Sequence, residues 1–160
     1  MSAADALVIR QGDIRTIDAI MPVMQAAFDP AYGEAWTAAQ CAGMMALPGT
    51  ILFTAEKSNQ VCGFALIRSV LEEAELLLIA THPQHRRSGI GANLCHTLFG
   101  WCRENGITSV FLEVRDGNPA YSLYSKLGFK PLGRRINYYQ GRHDQKFDAV
   151  SLRFDLVPQS

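Results

Sequence analysis

The sequence predicts an α+β fold: one domain with a mixed, mostly antiparallel sheet of about seven strands and four helices. Three observations predict it. The apolar pattern switches repeatedly between short runs of strand character and longer runs of helical spacing, in the order β-α-α-β-β-β-α-β-α-β-β. Three consecutive strand runs between residues 50 and 81 are joined by turns of four and three residues, which only an antiparallel meander permits. The last of these runs, with Leu76, Leu77, Leu78, Ile79 and Ala80 in a row, leads through a basic, glycine-bearing turn (Arg86, Arg87, Ser88, Gly89, Ile90, Gly91) into a helical pattern.

Each element has a local reason. Residues 6–10 (ALVIR) form a short strand that ends at a Gly12-Asp13 turn. Residues 16–28 place Ile17, Ile20, Met24, Ala27 and Phe28 at helical spacing, with Pro22 limiting the first turn. A loop with Pro30 and Gly33 follows. Thr37-x-x-Gln40 is a capping box, so a helix over 38–47 stops before Pro48-Gly49. The meander comprises 50–56, 61–70 (Gly63 marking a bulge) and 74–81. A long helix over 89–104 buries Leu94, Leu98 and Cys102 and is capped by Asn105-Gly106. Residues 109–115 (SVFLEVR) form a strand. Asn118 then caps a helix with Pro119 at its first position and Gly128 at its end. Residues 130–139 and 147–156 close the sheet as an antiparallel pair.

Composition narrows the function. The chain has 160 residues, 48% hydrophobic and 19% charged, an ordinary globular balance that argues against extended disorder. The formal net charge is zero, so no global field draws it to nucleic acid or to a membrane, and neither is expected as a partner. Its four cysteines form no C-x-x-C pair; Cys95 and Cys102 fall on one helix face and read as core. No apolar run is long enough to span a bilayer and residues 1–5 read as a loose tail, so a cytoplasmic setting is expected. The four histidines and the cysteines show no metal-ligand spacing, and no metal is expected.

The strand-turn-helix after residue 74 is suited to an anion. Glycines let consecutive backbone N–H groups point inward, and the helix N-terminus adds positive potential there. The pattern Arg86-x-x-Gly89-x-Gly91 lacks the Lys-Ser/Thr of a P-loop and the third glycine of a dinucleotide fingerprint. Alone it is also compatible with an ordinary glycine-bearing helix start.

The element order, with R-x-x-G-x-G between the fourth strand and the third helix, resembles the GNAT superfamily of acyl-CoA-dependent N-acetyltransferases. The matching segments are residues 73–91 (EAELLLIATHPQHRRSGIG), 111–114 (FLEV), 118–129 (NPAYSLYSKLGF) and 134–139 (RRINYY). The last three look like the bacterial RimI-type ribosomal-protein-alanine N-acetyltransferases, which modify a protein's N-terminal amine. The resemblance implies a GNAT-like sheet splayed between the fourth and fifth strands, with acetyl-CoA as co-substrate and a protein N-terminus, that of a ribosomal protein, as acceptor. It implies that backbone groups of Ile79, Ala80 and Thr81 face the acetyl-pantetheine arm. Arg86, Arg87, Ser88, Gly89, Ile90, Gly91 and Ala92 would surround the pyrophosphate. Asn118 and Tyr124 would contact the cofactor, with Glu113 as general base and Tyr124 as general acid. Trp36, Tyr138 and Tyr139 would line the acceptor groove.

The chemistry makes sense of such residues. An amine attacks a thioester only when neutral, and an α-amine with a pKa of roughly 8 is far closer to that state at neutral pH than a lysine near 10.4. One carboxylate, acting directly or through water, is then enough help, and a tyrosine can protonate the departing thiolate. Each assignment has a plainer rival. Glu113 also reads as a solvent-facing strand carboxylate, the plainer of its two readings. Glu75, at the head of the central strand, competes for the base role or is a strand-edge charge. The interval from Asn118 to Tyr124 is one residue shorter than the family's, which leaves Tyr121 as understudy. Trp36, Tyr138 and Tyr139 also read as simple packing. A lysine or small-molecule amine acceptor, and a non-catalytic acyl-CoA-binding module, are the competing functions.

Overall fold

The computed structural model describes residues 6–156, so the expected loose tail over residues 1–5 lies outside the described residues. Among the described residues, seven strands form one sheet: β1 (Val8–Gly12), β2 (Thr50–Lys57), β3 (Gln60–Val70), β4 (Glu73–Thr81), β5 (Ser109–Arg115), β6 (Lys130–Gln140) and β7 (Lys146–Asp155). Their order is β1-β2-β3-β4-β5-β7-β6, and every neighbouring pair is antiparallel except β4 with β5. The helices are α1 (Ile17–Ala27), α2 (Ala38–Met45), α3 (Ile90–Glu104) and α4 (Ala120–Leu127).

Two apolar layers cover the two faces. Ile17, Ile20, Val23 and Met24 of α1, with Cys41 of α2, pack on Leu52, Phe64, Leu66, Leu78 and Ala80. Ile90, Leu94, Leu98, Phe99 and Cys102 of α3, with Tyr124 of α4, pack on the opposite face against Ala65, Ile67, Leu76, Val110, Leu112 and Leu152. Each such fully buried aliphatic side chain contributes roughly 1.5–3 kcal/mol relative to exposure. The thiols are part of this packing: burial raises both Cys95 and Cys102 to about 12.

Several local expectations are met in detail. Thr37 Oγ1 accepts from Gln40 N at 3.1 Å, and Gln40 Oε1 accepts from Thr37 N at 2.8 Å, completing the box at the start of α2. Ile107 N donates to Cys102 O at 2.9 Å beyond left-handed Gly106, which closes α3. The register of β2 and β3 shifts between Ala55 and Glu56, so the bulge falls at Cys62, beside Gly63. Gly63 itself is needed for a close approach: a Cβ there would lie 2.8 Å from Ile90 Cγ2 and 3.0 Å from Ala80 O.

Others are corrected. The first strand runs later than residues 6–10, because Gln11 and Gly12 continue pairing with Phe53 and Leu52. Asp13, not Gly12, makes the turn, accepting from Arg15 N at 2.9 Å. Helix α1 begins at Ile17, which puts Pro22 in its second turn.

A second bulge lies in β4. Leu66 faces Leu78 but Ile67 faces Leu76, so Leu77 is the extra residue and side chains change faces there. Before it, Glu73 and Glu75 share the α1/α2 side of the sheet with Arg68 and Val70; after it, Leu78 and Ala80 occupy that side beneath α1.

Candidate functional site

Pairing between β4 and β5 covers only Glu73–Leu76 against Ser109–Leu112. Beyond those residues the two strands part, and the backbone edge of Leu77, Leu78, Ile79, Ala80 and Thr81 that faces β5 has no strand partner there. The expected splay is therefore present. It coincides with the β4 bulge.

On the α3 side, the loop before that helix is built for backbone contact. Arg87 (φ 64°) and Gly89 (φ 78°) are both left-handed. Asn93 N donates to Gly89 O at 2.9 Å as the first bond of α3, so the N–H groups of Ile90, Gly91 and Ala92 have no intrahelical acceptor. Two neighbouring side chains are engaged within the protein. The Arg86 guanidinium donates to Ala27 O at 3.1 Å, at the end of α1, and Ser88 Oγ donates to His85 O. The free N–H groups and the helix dipole together give this loop positive potential.

On the α1/α2 side, strand alternation places Phe111, Glu113 and Arg115 together. Glu113 is 13% exposed in its side chain. Arg135 Nε donates to its Oε1 at 2.9 Å, and Ser151 Oγ, directly across β7, donates to its Oε2 at 2.5 Å. Tyr139 O–H donates to the Glu113 backbone carbonyl at 3.2 Å. Two carboxylate contacts leave lone pairs for an amine or a water. Glu75 stands diagonally across from it on β4. Its carboxyl is raised above the ordinary glutamate value by burial of its surroundings and then by the negative charge of Glu113, with Arg135 and Arg68 pulling back. The Glu75 side chain is itself open to solvent, which keeps that push modest. Both carboxylates lie in a groove of about 570 Å³, with Val70, Phe111, Leu132 and Arg135 among its walls.

Tyr124 is 6% exposed and meets Phe129 edge-on at 5.7 Å. Burial strongly raises its hydroxyl, and Cys95, Tyr139 and Glu34 add to the effect. The phenol thus stays protonated through the neutral range. Tyr121, one turn earlier, is 37% exposed instead. Tyr138 and Tyr139 meet edge-on at 4.9 Å beside the carboxylates, and burial followed by Glu75 and Glu113 raises the Tyr138 hydroxyl. Trp36 is half-buried and packs on the α1/α2 core.

Sequence reasoning missed a buried cluster at the end of β5. Arg115 Nε pairs with Glu34 Oε1 at 3.1 Å, their side chains 10% and 9% exposed. Asn118 Nδ2 donates to Glu34 Oε2 at 2.7 Å, while its Oδ1 accepts from Ala120 N at 2.9 Å. Both polar ends of Asn118 are thereby engaged within the protein, where a cofactor contact was expected. The Arg115 guanidinium also lies 3.7 Å from the centroid of Tyr32. Only the i, i+2 relation of Glu113 and Arg115 hinted at this; Glu34 is 81 residues away in sequence. Among the described residues no group of three or more His, Cys, Asp or Glu side chains is placed to hold a metal ion.

A splayed parallel pair, a main-chain anion loop and two carboxylates on the opposite face define an acyl-transfer architecture. The profile of the acetyltransferase (GNAT) family matches residues 17–129, and the chain belongs to that family. Among its curated relatives is the [ribosomal protein bS18]-alanine N-acetyltransferase of Haemophilus influenzae, 41% identical over 94 residues. That match covers 59% of this chain and 64% of the relative, just under two thirds of its length. The enzyme of the same name from Escherichia coli K12 is 36% identical over 104 residues, covering 62% of this chain and 70% of the relative. The crystal structure of the ribosomal-protein-S18-alanine N-acetyltransferase from Escherichia coli superposes with a TM-score of 0.85 at 26% identity, covering 97% of both chains. Ard1 from Thermoplasma volcanium superposes with a TM-score of 0.81 at 26% identity, covering 95% of this chain and 99% of its own.

Proposed function

We propose that this protein is a single-domain cytoplasmic enzyme that transfers an acetyl group from acetyl-CoA to the α-amine of a protein N-terminus, of the ribosomal-protein-alanine kind. The observation that carries this reading is the arrangement across the splay. Glu113 and Glu75 lie on one side of the sheet, the main-chain loop of residues 86–92 lies towards the other, and unpaired strand edges run between them. The relatives named above add the acceptor class.

Acetyl-CoA fits these groups. The free N–H groups at the start of α3 suit a pyrophosphate, and the unpaired edge of Leu77, Leu78, Ile79, Ala80 and Thr81 suits an amide-bearing arm. When bound, it supplies an activated acyl thioester. Glu113 accepts the proton of the attacking amine, directly or through a water, while Ser151 and Arg135 fix the carboxylate. Glu75, with its raised affinity for protons, is a second station for that proton. Tyr124, held protonated by burial, donates to the departing sulfur. Strand N–H groups of β4 stabilise the developing oxyanion. Tyr138 and Tyr139 flank the amine, and Trp36 backs the loop between α1 and α2. The cysteines Cys41, Cys62, Cys95 and Cys102 are all buried, so none supplies an exposed thiolate for an acyl-enzyme, which supports direct transfer.

Two matched peptides test this, with acetyl-CoA and with readout by thiol release and mass spectrometry. One carries a free N-terminal Ala and no lysine; the other is blocked at its N-terminus and carries an internal lysine. Acetylation of the first alone is expected. Acetylation of the second alone would make the enzyme a side-chain acetyltransferase, and reaction with neither peptide or with any small amine would leave a CoA-binding module.

A further inference from the structure

Tyr124 has no bond of its own to aim it. Among the described residues its hydroxyl has no hydrogen-bond partner, and its ring is held by Phe129 and the core on the α3 side. Its aim is therefore set by where α4 sits. That helix has only eight residues, Ala120–Leu127, about two turns, and is too short to hold its own position. Three contacts place it. At its end, Phe129 N donates to Tyr124 O at 3.0 Å beyond left-handed Gly128. At its middle, Leu123 lies against Gly91, where an added Cβ would come within 3.0 Å of Leu123 Cδ2. At its start stands Asn118, whose Oδ1 accepts from Ala120 N and whose Nδ2 donates to Glu34.

The contact at the start ties α4 to a loop from the far end of the chain, and that loop is fixed independently. At Gly33 it meets the β6–β7 loop so closely that a Cβ would run into Gln140 O. Just before it, the Ala27 carbonyl accepts from the Arg86 guanidinium at 3.1 Å, and just after it comes the Thr37 box. Glu34 projects from this frame with its side chain 9% exposed, one oxygen on Arg115 Nε and the other on Asn118 Nδ2 at 2.7 Å. Helical side chains lean towards the N-terminus of their helix, so Tyr124 reaches back over Ala120 towards this bond. The Glu34 charge is among those that push the Tyr124 hydroxyl up.

We propose that Glu34 is a positioning residue for Tyr124: by holding Asn118 it fixes the first turn of α4 and, through it, the aim of the tyrosine hydroxyl. This rests on the acetyl-transfer reading given above, and it makes Asn118 a link within the protein instead of a cofactor contact. A displacement of about 1 Å at a reacting group can cost about a hundredfold in rate, so a small relaxation of that turn is enough to register in turnover.

Asn118→Ser cuts the link while a serine hydroxyl still accepts from Ala120 N and the Glu34–Arg115 pair stays in place. With the Ala peptide as acceptor, well below the melting temperature, kcat is expected to fall about tenfold and KM for acetyl-CoA to stay within about twofold of wild type. An unchanged kcat, or a loss confined to KM for acetyl-CoA as a cofactor contact would give, would overturn the proposal. The same substitution in Tyr124→Phe reads the coupling. With no hydroxyl left to aim, it should lower kcat by less than about twofold further; an equal tenfold loss in both backgrounds would overturn the proposal. Glu34→Gln in the two backgrounds should repeat this pattern. Hydrogen exchange over residues 120–127 needs no turnover: Asn118→Ser should speed it at least about fivefold, and unchanged protection would count against the link and overturn it. Full turnover by Tyr124→Phe alone would overturn the proposal while acetyl transfer stands, whereas a wild type that acetylates no amine would remove the acetyl-transfer reading and the proposal with it.

Discussion

Glu34→Gln should cost this protein far more than a loop substitution normally does. Glu34 offers two carboxylate oxygens to two donors, Arg115 Nε at 3.1 Å and Asn118 Nδ2 at 2.7 Å. A glutamine offers one acceptor and one donor, so one of those partners faces an N–H instead of an oxygen. Arg115 is then left charged at 10% side-chain exposure. Removing one member of a buried pair costs roughly 3–5 kcal/mol. Here Arg115 keeps the Asp116 carbonyl at 3.3 Å and the face of Tyr32, which offset about 1–2 kcal/mol. The net expectation is about 2–3 kcal/mol, a large share of a typical stability of roughly 5–15 kcal/mol. For a chain of this length that lowers Tm by roughly 5–10 °C. Thermal unfolding of Glu34→Gln, Arg115→Met and the double variant reads it directly. The double variant removes both charges and should lose at least about 2 kcal/mol less than the sum of the singles. Additivity, or a Tm change under about 2 °C for Glu34→Gln, would refute the idea that this pair clamps the loop.

Three further outcomes follow from the site and its supports. Glu113→Gln and Tyr124→Phe should each lower kcat about a hundredfold or more while CoA affinity, measured by calorimetry, stays near wild type; full rates from both would remove the assignments. Glu75 binds its proton more tightly folded than unfolded, so its contribution to stability falls as pH rises from about the ordinary value of 4.5 through the raised folded value. Glu75→Gln should abolish that slope and unfold slightly later than wild type at pH 7, an order that pH-dependent melting would reverse if Glu75 were stabilised as a carboxylate. Gly63→Ala drives a methyl to 2.8 Å from Ile90, at the first residue of α3, and should cost about 1–3 kcal/mol together with weaker CoA binding. Unchanged binding would mean that the α3 start tolerates displacement.

What could be read from the sequence, and what could not, divides on physical grounds. Local chemistry was legible: the Thr37/Gln40 box, the Gly106 stop and the glycine-bearing turn before α3 rest on a few adjacent residues each. Paired positions far apart were not. Nothing near Glu34 announces Arg115, and nothing near Gly33 announces the backbone of Gln140. The end of β1 was misplaced because Gln11 and Gly12 carry no strand signal of their own and are held by pairing with β2. Asn118 was legible as a cap, yet the occupation of its amide by Glu34 depends on a loop that folds back from the other end of the chain.

The β4 bulge shows why the central strand was readable as a strand and unreadable in its detail. Five apolar residues in a row, Leu76 to Ala80, satisfy burial on either face, so their pattern carries no record of a slipped alternation. With strict alternation, Leu77, Ile79 and Thr81 would continue the side that begins with Glu73 and Glu75. The extra residue at Leu77 gives that side to Leu78 and Ala80 instead, which pack beneath α1. One strand thus carries carboxylates at its open head and aliphatic core at its covered tail on the same face. The change falls one residue after pairing with β5 ends at Leu76. A bulge adds twist and bends the strand, so the residue that exchanges the faces also helps to part β4 from β5. The change from carboxylate to aliphatic core along this face of β4 and the free strand edge therefore share one structural cause. A substitution that removed the bulge should damage acceptor and cofactor binding together.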